Sequence, residues 1–331
     1  GFLAESASDF MQAIVMVVTL VLILALSIAN AGGLSAVLEN AKSIDGFLSL
    51  TKVSTPSTTT ANAFGAAAPY SALTIASSLA WGLGYFGMPQ VLVRFLGIRS
   101  EEEVKTSRRI AIVWVIISMF CAVMIGMIGR AIIPAELLTQ SAAESIFIVL
   151  SKMMLPAFFC GLVVSGILAA SMSSASSYLL ITGSSVAENI FRGVFKKNAT
   201  DNQVLIVSRI TLAAVLIFGC FIAWDENSVI FNVVSYAWAG LGASFGPLTL
   251  FSLYWRRTNK AGAIAGMVTG AAMVLIWHNL IKPIGGVFGI YELLPAFLFS
   301  CICIVVFSLL TKAPGKEIEE DFEAVAAGNV Q

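Results

Sequence analysis

Phe10-Met-Gln-Ala-Ile-Val-Met-Val-Val-Thr-Leu-Val-Leu-Ile-Leu-Ala-Leu-Ser-Ile-Ala-Asn-Ala31 runs for 22 residues without a charge. Wound as a helix at 1.5 Å per residue it is about 33 Å long, enough to cross a hydrocarbon core of roughly 30 Å. Apolar runs of this length recur along the chain, whereas ten-residue alternating segments do not. That pattern predicts spanning helices rather than a closed barrel. Composition agrees: 58% of the 331 residues are hydrophobic and 11% charged, against about 25% charged in soluble domains. The fold class expected is an all-α integral membrane protein whose main partner is the lipid bilayer. The 19 basic and 19 acidic residues cancel, so net charge does not point to nucleic acid.

Working outward from that first span, seven more are read. They run over Tyr70–Phe95, Ile110–Ile133, Leu155–Ile190, Val204–Trp224, Val229–Trp255, Ala261–Ile281 and Tyr291–Leu310, about eight transmembrane helices in all. Loop charges test this division independently. Loops assigned to one side collect Arg94, Arg99, Lys105, Arg108 and Arg109, then Arg192, Lys196, Lys197 and Arg209, then Arg256, Arg257, Lys260, Lys312 and Lys316. These are 14 of the 19 basic residues. The positive-inside rule then places both termini in the cytoplasm of a multi-pass inner (plasma) membrane protein. Residues 1–311 read as a transmembrane domain. Residues 312–331, with Glu317, Glu319, Glu320, Asp321 and Glu323, read as a solvated cytoplasmic acidic tail. The chain opens on Gly1 without an initiator Met or the basic start of a signal peptide, so it reads as a piece of a longer membrane protein.

Two outer connections are long. Gly32 to Pro69 contains the Ser/Thr-rich stretch Thr51–Thr60 and is expected to be mobile. Pro134 to Lys152 reads as one amphipathic surface helix with Ala135, Leu138, Ala142, Ile146 and Leu150 on one face. All five cysteines lie in apolar stretches and read as packing residues, with no disulfide framework and no metal-ligand spacing. The single histidine, His278, reads as an interfacial residue. No carboxylate falls in the middle of a predicted span, and no Walker A or GxGxxG element opens a helix in a βαβ context, so neither an enzyme nor an ATP-driven pump is predicted.

Three runs carry chemistry. The fourth span includes Gly161-Leu-Val-Val-Ser-Gly-Ile-Leu-Ala-Ala-Ser-Met-Ser-Ser-Ala-Ser-Ser-Tyr178, with five serines in seven residues. Helical spacing puts Ala170, Ser173 and Ser174 on one face. Neutral hydroxyls and freed carbonyls suit a hard monovalent cation. Small residues bonded to their own preceding turn would equally serve close helix packing. In the second span, Trp81-Gly-Leu-Gly-Tyr-Phe-Gly-Met-Pro89 interrupts the helix. Such breaks line substrate sites in transporters, and Trp81 and Tyr85 would share a face beside it, though a plain proline kink is the other reading. In the sixth span, Ser235-Tyr-Ala-Trp-Ala-Gly-Leu-Gly-Ala-Ser-Phe-Gly-Pro247 reads as close packing or a second flexible point, packing being favoured.

Together WGLGYFGMP (Trp81–Pro89), ASMSSASS (Ala170–Ser177) and SYAWAGLGASFGP (Ser235–Pro247) resemble the sodium/solute symporter family, most closely its sodium/proline symporters. GFLAESASD at the start and VVFSLLTKAP near the end are similar as well. The resemblance implies the C-terminal portion of a LeuT-type transporter of two inverted repeats, whose first broken helix would precede Gly1. It implies sodium (Na+) as coupling ion, held by the Ala170 carbonyl and the hydroxyls of Ser173 and Ser174. It also implies a solute region at Trp81, Tyr85 and Pro89, where aromatic rings suit a rigid pyrrolidine. Met88 and Gln90 stand where the family often has a polar residue and a histidine. The implied activity is sodium-coupled uptake of a small solute, L-proline first. The alternatives are a sodium symporter for another amino acid, a vitamin or a sugar, or a symporter-like receptor domain of a sensory protein.

Overall fold

The structure, a computed structural model, describes residues 2–60, 63–224 and 229–327. In chain order the helices are α1 (Phe2–Asn30), α2 (Leu34–Lys42), α3 (Ala72–Gly84), α4 (Pro89–Leu96), α5 (Glu101–Ile132), α6 (Gln140–Ala143), α7 (Ile146–Met154) and α8 (Ala157–Ser184), followed by α9 (Asp201–Ile222), α10 (Ile230–Tyr254), α11 (Lys260–Ile276), α12 (Leu293–Leu310) and α13 (Lys316–Ala326). A π-helical stretch, Ser185–Phe195, continues α8. Among the described residues, six segments are long and apolar enough to cross a membrane: Leu3–Asn30, Glu102–Ile132, Ala157–Phe195, Asp201–Ile222, Lys260–Ile284 and Leu293–Leu310. Outward-facing Ile116, Phe120, Ile217 and Phe218 stay uncovered by protein, as a lipid solvent allows. The other two predicted spans are helical but different in kind. One is broken into α3 and α4, and the other, α10, is continuous and diluted by Gly, Ser and aromatic residues.

Local chemistry sets the helix ends. Ser71 caps α3 by accepting from the Thr74 amide at 3.0 Å. Thr200 and Gln203 form a capping box at α9. Helix α1 stops where Gly32 and Gly33 adopt φ of 83° and 98°, a conformation that glycine adopts without strain.

The chain folds as two compact units. The first comprises the residues up to Pro69 together with Ile98–Ile230. Its core gathers Ile23, Val37, Cys121, Ile128, Leu150 and Val163 from α1, α2, α5, α7 and α8. Helices α1 and α8 meet closely because Gly166 leaves its Cβ position to the Thr19 side chain. Two connections depart from expectation. The Ser/Thr-rich stretch lies in an antiparallel hairpin, with strand β1 (Lys52–Val53) paired to β2 (Ala68–Pro69) and a bridge from Pro56 to Phe64. The expected single surface helix over 134–152 is two helices, α6 and α7, and Leu150 is fully buried in the core. The wide apolar face read at 3.6-residue spacing is burial against α1 and α5 rather than an interfacial stripe.

The second unit is Tyr70–Gly97 with the residues from Phe231 onward. Its core is Ala239, Ala243, Val274, Leu293, Ala296 and Phe297. Small residues let backbones touch. On α11, Gly262, Gly266 and Gly270 lie four residues apart; the first two press on Ile304 and Ser308 of α12, the third on Ala243 of α10. Pro247 removes the donor that the Ala243 carbonyl would have in a regular helix, and it is against this carbonyl that Gly270 packs. The Ser300 hydroxyl donates to the Gly266 carbonyl at 2.9 Å. Of the two readings of Ser235–Pro247, the structure shows packing. The acidic tail has no buried residue between 316 and 326. Its residues 316–326 form α13, and Arg256 pairs with Glu319 at 3.0 Å and Glu323 at 2.8 Å.

Candidate functional site

In the second unit the sequence Trp81–Pro89 breaks the helix through identifiable steps. Pro89 has no amide proton, and it forces Met88 into an extended conformation (φ −78°, ψ 113°). Residues Tyr85–Gly87 tighten into a 3₁₀ turn, and the Met88 carbonyl then accepts from Val91 at 3.0 Å and Leu92 at 3.1 Å to restart the helix as α4. Met88 is fully buried, whereas Tyr85 is half exposed, at 53%. Gly87 allows the turn to lie on α10: a Cβ there would fall 2.7 Å from both the Gly246 nitrogen and the Leu241 oxygen. Gly84 likewise gives way to the Trp238 indole.

The break carries an aromatic wall. Trp81 stacks on Phe231 (5.3 Å, 13°), Trp238 (5.4 Å, 13°) and Tyr291 (6.0 Å, 17°). Tyr85 meets the same Trp238 edge-on at 4.8 Å, so Trp81 and Tyr85 do share a neighbour. The Trp238 indole N–H donates to the Trp81 carbonyl at 3.1 Å, occupying an acceptor near the break. Tyr291 is held at both ends: its amide donates to the Ser77 hydroxyl at 3.0 Å and its phenol to the Ser235 carbonyl at 2.6 Å. Burial, aided by the Glu292 carboxylate, pushes that phenol well above its usual range, so it stays a neutral donor. Trp238, Phe231 and Tyr291 were not read from the sequence as site residues. They lie more than 140 positions from Trp81, and the only signal was an aromatic within each apolar run.

Beside Tyr291 sits Glu292, whose side chain is 2% exposed. Lys282 Nζ donates to one carboxylate oxygen at 2.7 Å, and His278 Nδ1 lies 3.1 Å from the other. The His278 ring also tilts against Tyr236 at 4.4 Å, so the partly exposed His278 is tied to the buried Glu292 carboxylate rather than standing alone. Burial alone would raise the Glu292 carboxyl. The hydrogen bond from Lys282, that from its own backbone amide, the Lys282 charge and the hydrogen bond with His278 together outweigh it and hold the group below its ordinary value. A carboxyl depressed on folding adds stability that is complete above the unfolded value of about 4.3 and is lost as pH falls through the lower folded value. We therefore expect the detergent-solubilised protein to lose thermal stability below about pH 4.3. Glu292→Gln should flatten that part of the curve; an unchanged profile would remove the cluster's role.

In the first unit the serine-rich helix α8 separates its hydroxyls into two groups. Ser165, Ser176 and Ser177 donate to carbonyls of the preceding turn (Leu162, Met172 and Ser173), and Ser177 also donates to Glu5 Oε1 at 2.5 Å. These follow the helix-packing reading. Among the described residues, the hydroxyls of Ser171, Ser173 and Ser174 have no hydrogen-bond partner. Ser173 and Ala170 are half-buried and Ser174 is exposed. Ala170 also borders a small apolar pocket with Met16, Thr19 and Gly166. Trp81, Tyr85 and Pro89 thus gather at one break in one unit, and Ala170, Ser173 and Ser174 lie along one helix of the other.

The family model for the sodium:solute symporter family matches residues 1–270. This chain belongs to that family. Relatives of this chain include the "High-affinity proline transporter PutP" of Bacillus subtilis (strain 168), 38% identical over 322 residues, 97% of this chain and 64% of the relative. The "Sodium/proline symporter" of Staphylococcus aureus is 37% identical over 331 residues, covering 98% of this chain and 62% of its own length. The "Sodium/proline symporter 2" of Staphylococcus saprophyticus is 38% identical over the same span, at 98% and 62% coverage. The chain therefore spans a little under two thirds of the length of these relatives, all of which are named as transporters rather than enzymes. Family and helices together make it a multi-pass membrane protein.

Proposed function

We propose that this protein carries out sodium-coupled secondary uptake of a small solute, with L-proline the first candidate. The observation that carries the reading is 37–38% identity to proteins named as proline transporters and sodium/proline symporters over nearly all of this chain. The architecture proposed is a LeuT-type inverted-repeat core. Broken α3–α4 and the Gly-rich α10 count as spans beside the six apolar ones, giving eight. Both termini and the tail 312–331 then face the cytoplasm of the plasma membrane, with residues 1–311 as the transmembrane domain.

Sodium, a co-transported cargo, is proposed to bind the Ala170 carbonyl and the hydroxyls of Ser173 and Ser174, which have no hydrogen-bond partner among the described residues. The solute is proposed to lie at Trp81, Tyr85 and Pro89, where half-exposed Tyr85 offers ring surface fixed by Trp238. A flat, rigid aromatic wall rewards a rigid ring at little entropic cost. Coupling follows when ion and solute favour the same conformational states, so that each raises the other's affinity by the same factor.

Labelled L-proline uptake into proteoliposomes, with and without an inward sodium gradient, tests the reading. Sodium-independent uptake, or better competition by another amino acid, a vitamin or a sugar, would overturn it. Within it, Tyr85→Ala removes ring contact worth about 1.5 kcal/mol. It should raise the half-saturating proline concentration about tenfold and leave the sodium requirement unchanged; the reverse pattern would count against the solute assignment.

A further inference from the structure

At the end of α5 the first unit holds an open cleft of about 640 Å³, within the range of small-molecule sites. One wall is the end of α5, with Gly126, Arg130 and the following Ile133; Ile146 of α7, Phe64 of the hairpin and Phe47 in the turn before it complete the cleft. The hairpin sets Phe64 in place through the bridge to Pro56 and the Gly65 amide bond to the Thr55 carbonyl at 2.9 Å. Phe47 braces Phe64 edge-on at 6.1 Å. The Arg130 guanidinium lies over the Phe64 ring at 4.0 Å, a cation–π contact that fixes its plane.

That guanidinium is half-buried and, among the described residues, has no hydrogen-bond or ion-pair partner; its Nε is shielded from solvent as well. A guanidinium taken partly out of water calls for a compensating acceptor. Its planar fork matches a carboxylate bidentately. Glu136 lines the same cleft, and it too has no partner among the described residues. Two opposite charges that border one cleft without pairing complement a ligand that itself carries both signs.

We infer that this cleft binds a zwitterionic amino acid, its carboxylate on Arg130, its ammonium on Glu136 and its apolar side chain between Ile133 and Ile146. The site is independent of the proposed sodium and solute positions and asks for no ion gradient.

The test is calorimetry on the purified full chain in sodium-free choline chloride, with L-leucine as probe because it is not the proposed cargo. Saturable L-leucine binding is expected. 4-Methylpentanoate, which lacks the amine, and L-leucine methyl ester, which lacks the carboxylate, should each bind at least tenfold more weakly, as expected when a charge-assisted hydrogen bond is lost. Arg130→Met should lower L-leucine affinity at least tenfold, and Arg130→Lys should recover part of it. Gly126→Leu provides a plug: a Cβ at Gly126 meets nothing within 4 Å, so the larger side chain enters open space and should abolish binding with the fold retained. Ser173→Ala should leave it unchanged. No saturable L-leucine binding, equal binding of the three probes, or undiminished binding by Gly126→Leu would each overturn the inference. The three probes act on the unaltered protein, so the result stands even where Arg130→Met fails to fold. Failure of sodium-driven proline uptake in the same preparation would strike the transport reading alone.

Discussion

Gly87→Ala should destabilise the second unit by about 2 kcal/mol or more, the cost of forcing a methyl group into a filled space. The added carbon would fall 2.7 Å from the Gly246 nitrogen, 2.7 Å from the Leu241 oxygen and 2.9 Å from the Gly242 Cα. All three are backbone atoms of α10 and cannot swing aside as a side chain would. The substitution must part the turn from α10, and with it Tyr85 from Trp238. The matched control lies five residues away. Gly82 has nothing within 4 Å of its Cβ position, so Gly82→Ala should be neutral or gain up to about 1 kcal/mol of helix propensity. Thermal unfolding in detergent compares the two, and equal melting temperatures would mean that the turn does not rest on α10. Any Gly87→Ala protein that survives should also bind proline more weakly, because its aromatic wall has shifted.

Ser173→Ala and Ser174→Ala should each raise the sodium concentration for half-maximal uptake about tenfold. This corresponds to roughly 1.5 kcal/mol for one oxygen contact to a charged group. Ser174→Thr keeps the oxygen and should stay near the unaltered value. Ser177→Ala is the informative contrast. Its hydroxyl is engaged by Glu5 and the Ser173 carbonyl, so its loss should lower stability and leave the sodium dependence alone. Should Ser173→Ala and Ser174→Ala also leave sodium dependence unchanged, the assignment on α8 falls.

What was legible in the sequence followed from physics that is local in the chain. Uncharged runs of helix-spanning length marked the apolar helices, and Pro89 after three glycines marked the break, because a missing donor and its restricted predecessor act within one turn. The small residues of Ser235–Pro247 were legible as packing for the same reason: Ala239 and Ala243 are fully buried. What was missed depends on distant partners. Thr51–Thr60 looks like mobile polar sequence until Ala68–Pro69 returns to pair with Lys52–Val53. The face carrying Ile146 and Leu150 has the same spacing whether it meets solvent, lipid or another helix, and only the core around Ile128 decides. Trp81 was noticed, but Tyr291 was not, since nothing near Tyr291 in sequence announces a ring 6.0 Å away. His278 was set aside as a lone histidine because Glu292, its partner, lies beyond a turn of glycines. In the serine-rich helix, spacing alone left ion binding and packing level. The hydroxyls of Ser165, Ser176 and Ser177 bond the preceding turn, as the packing reading asks.

The glycine column of α11 has a mechanical meaning. Gly262 and Gly266 lock α11 to α12, and Gly270 locks it to α10. Helices in backbone contact cannot slide past one another without first separating, so these three travel as one lever rather than as three independent rods. Trp238 rides on α10, and Tyr291 sits at the head of α12. A motion that carries one of these rings must carry the other by the same amount. The two move as a single jaw, and α3 travels with them, because a Cβ at Gly242 of α10 would fall 2.7 Å from the Gly84 Cα and one at Gly87 would meet the same α10 backbone.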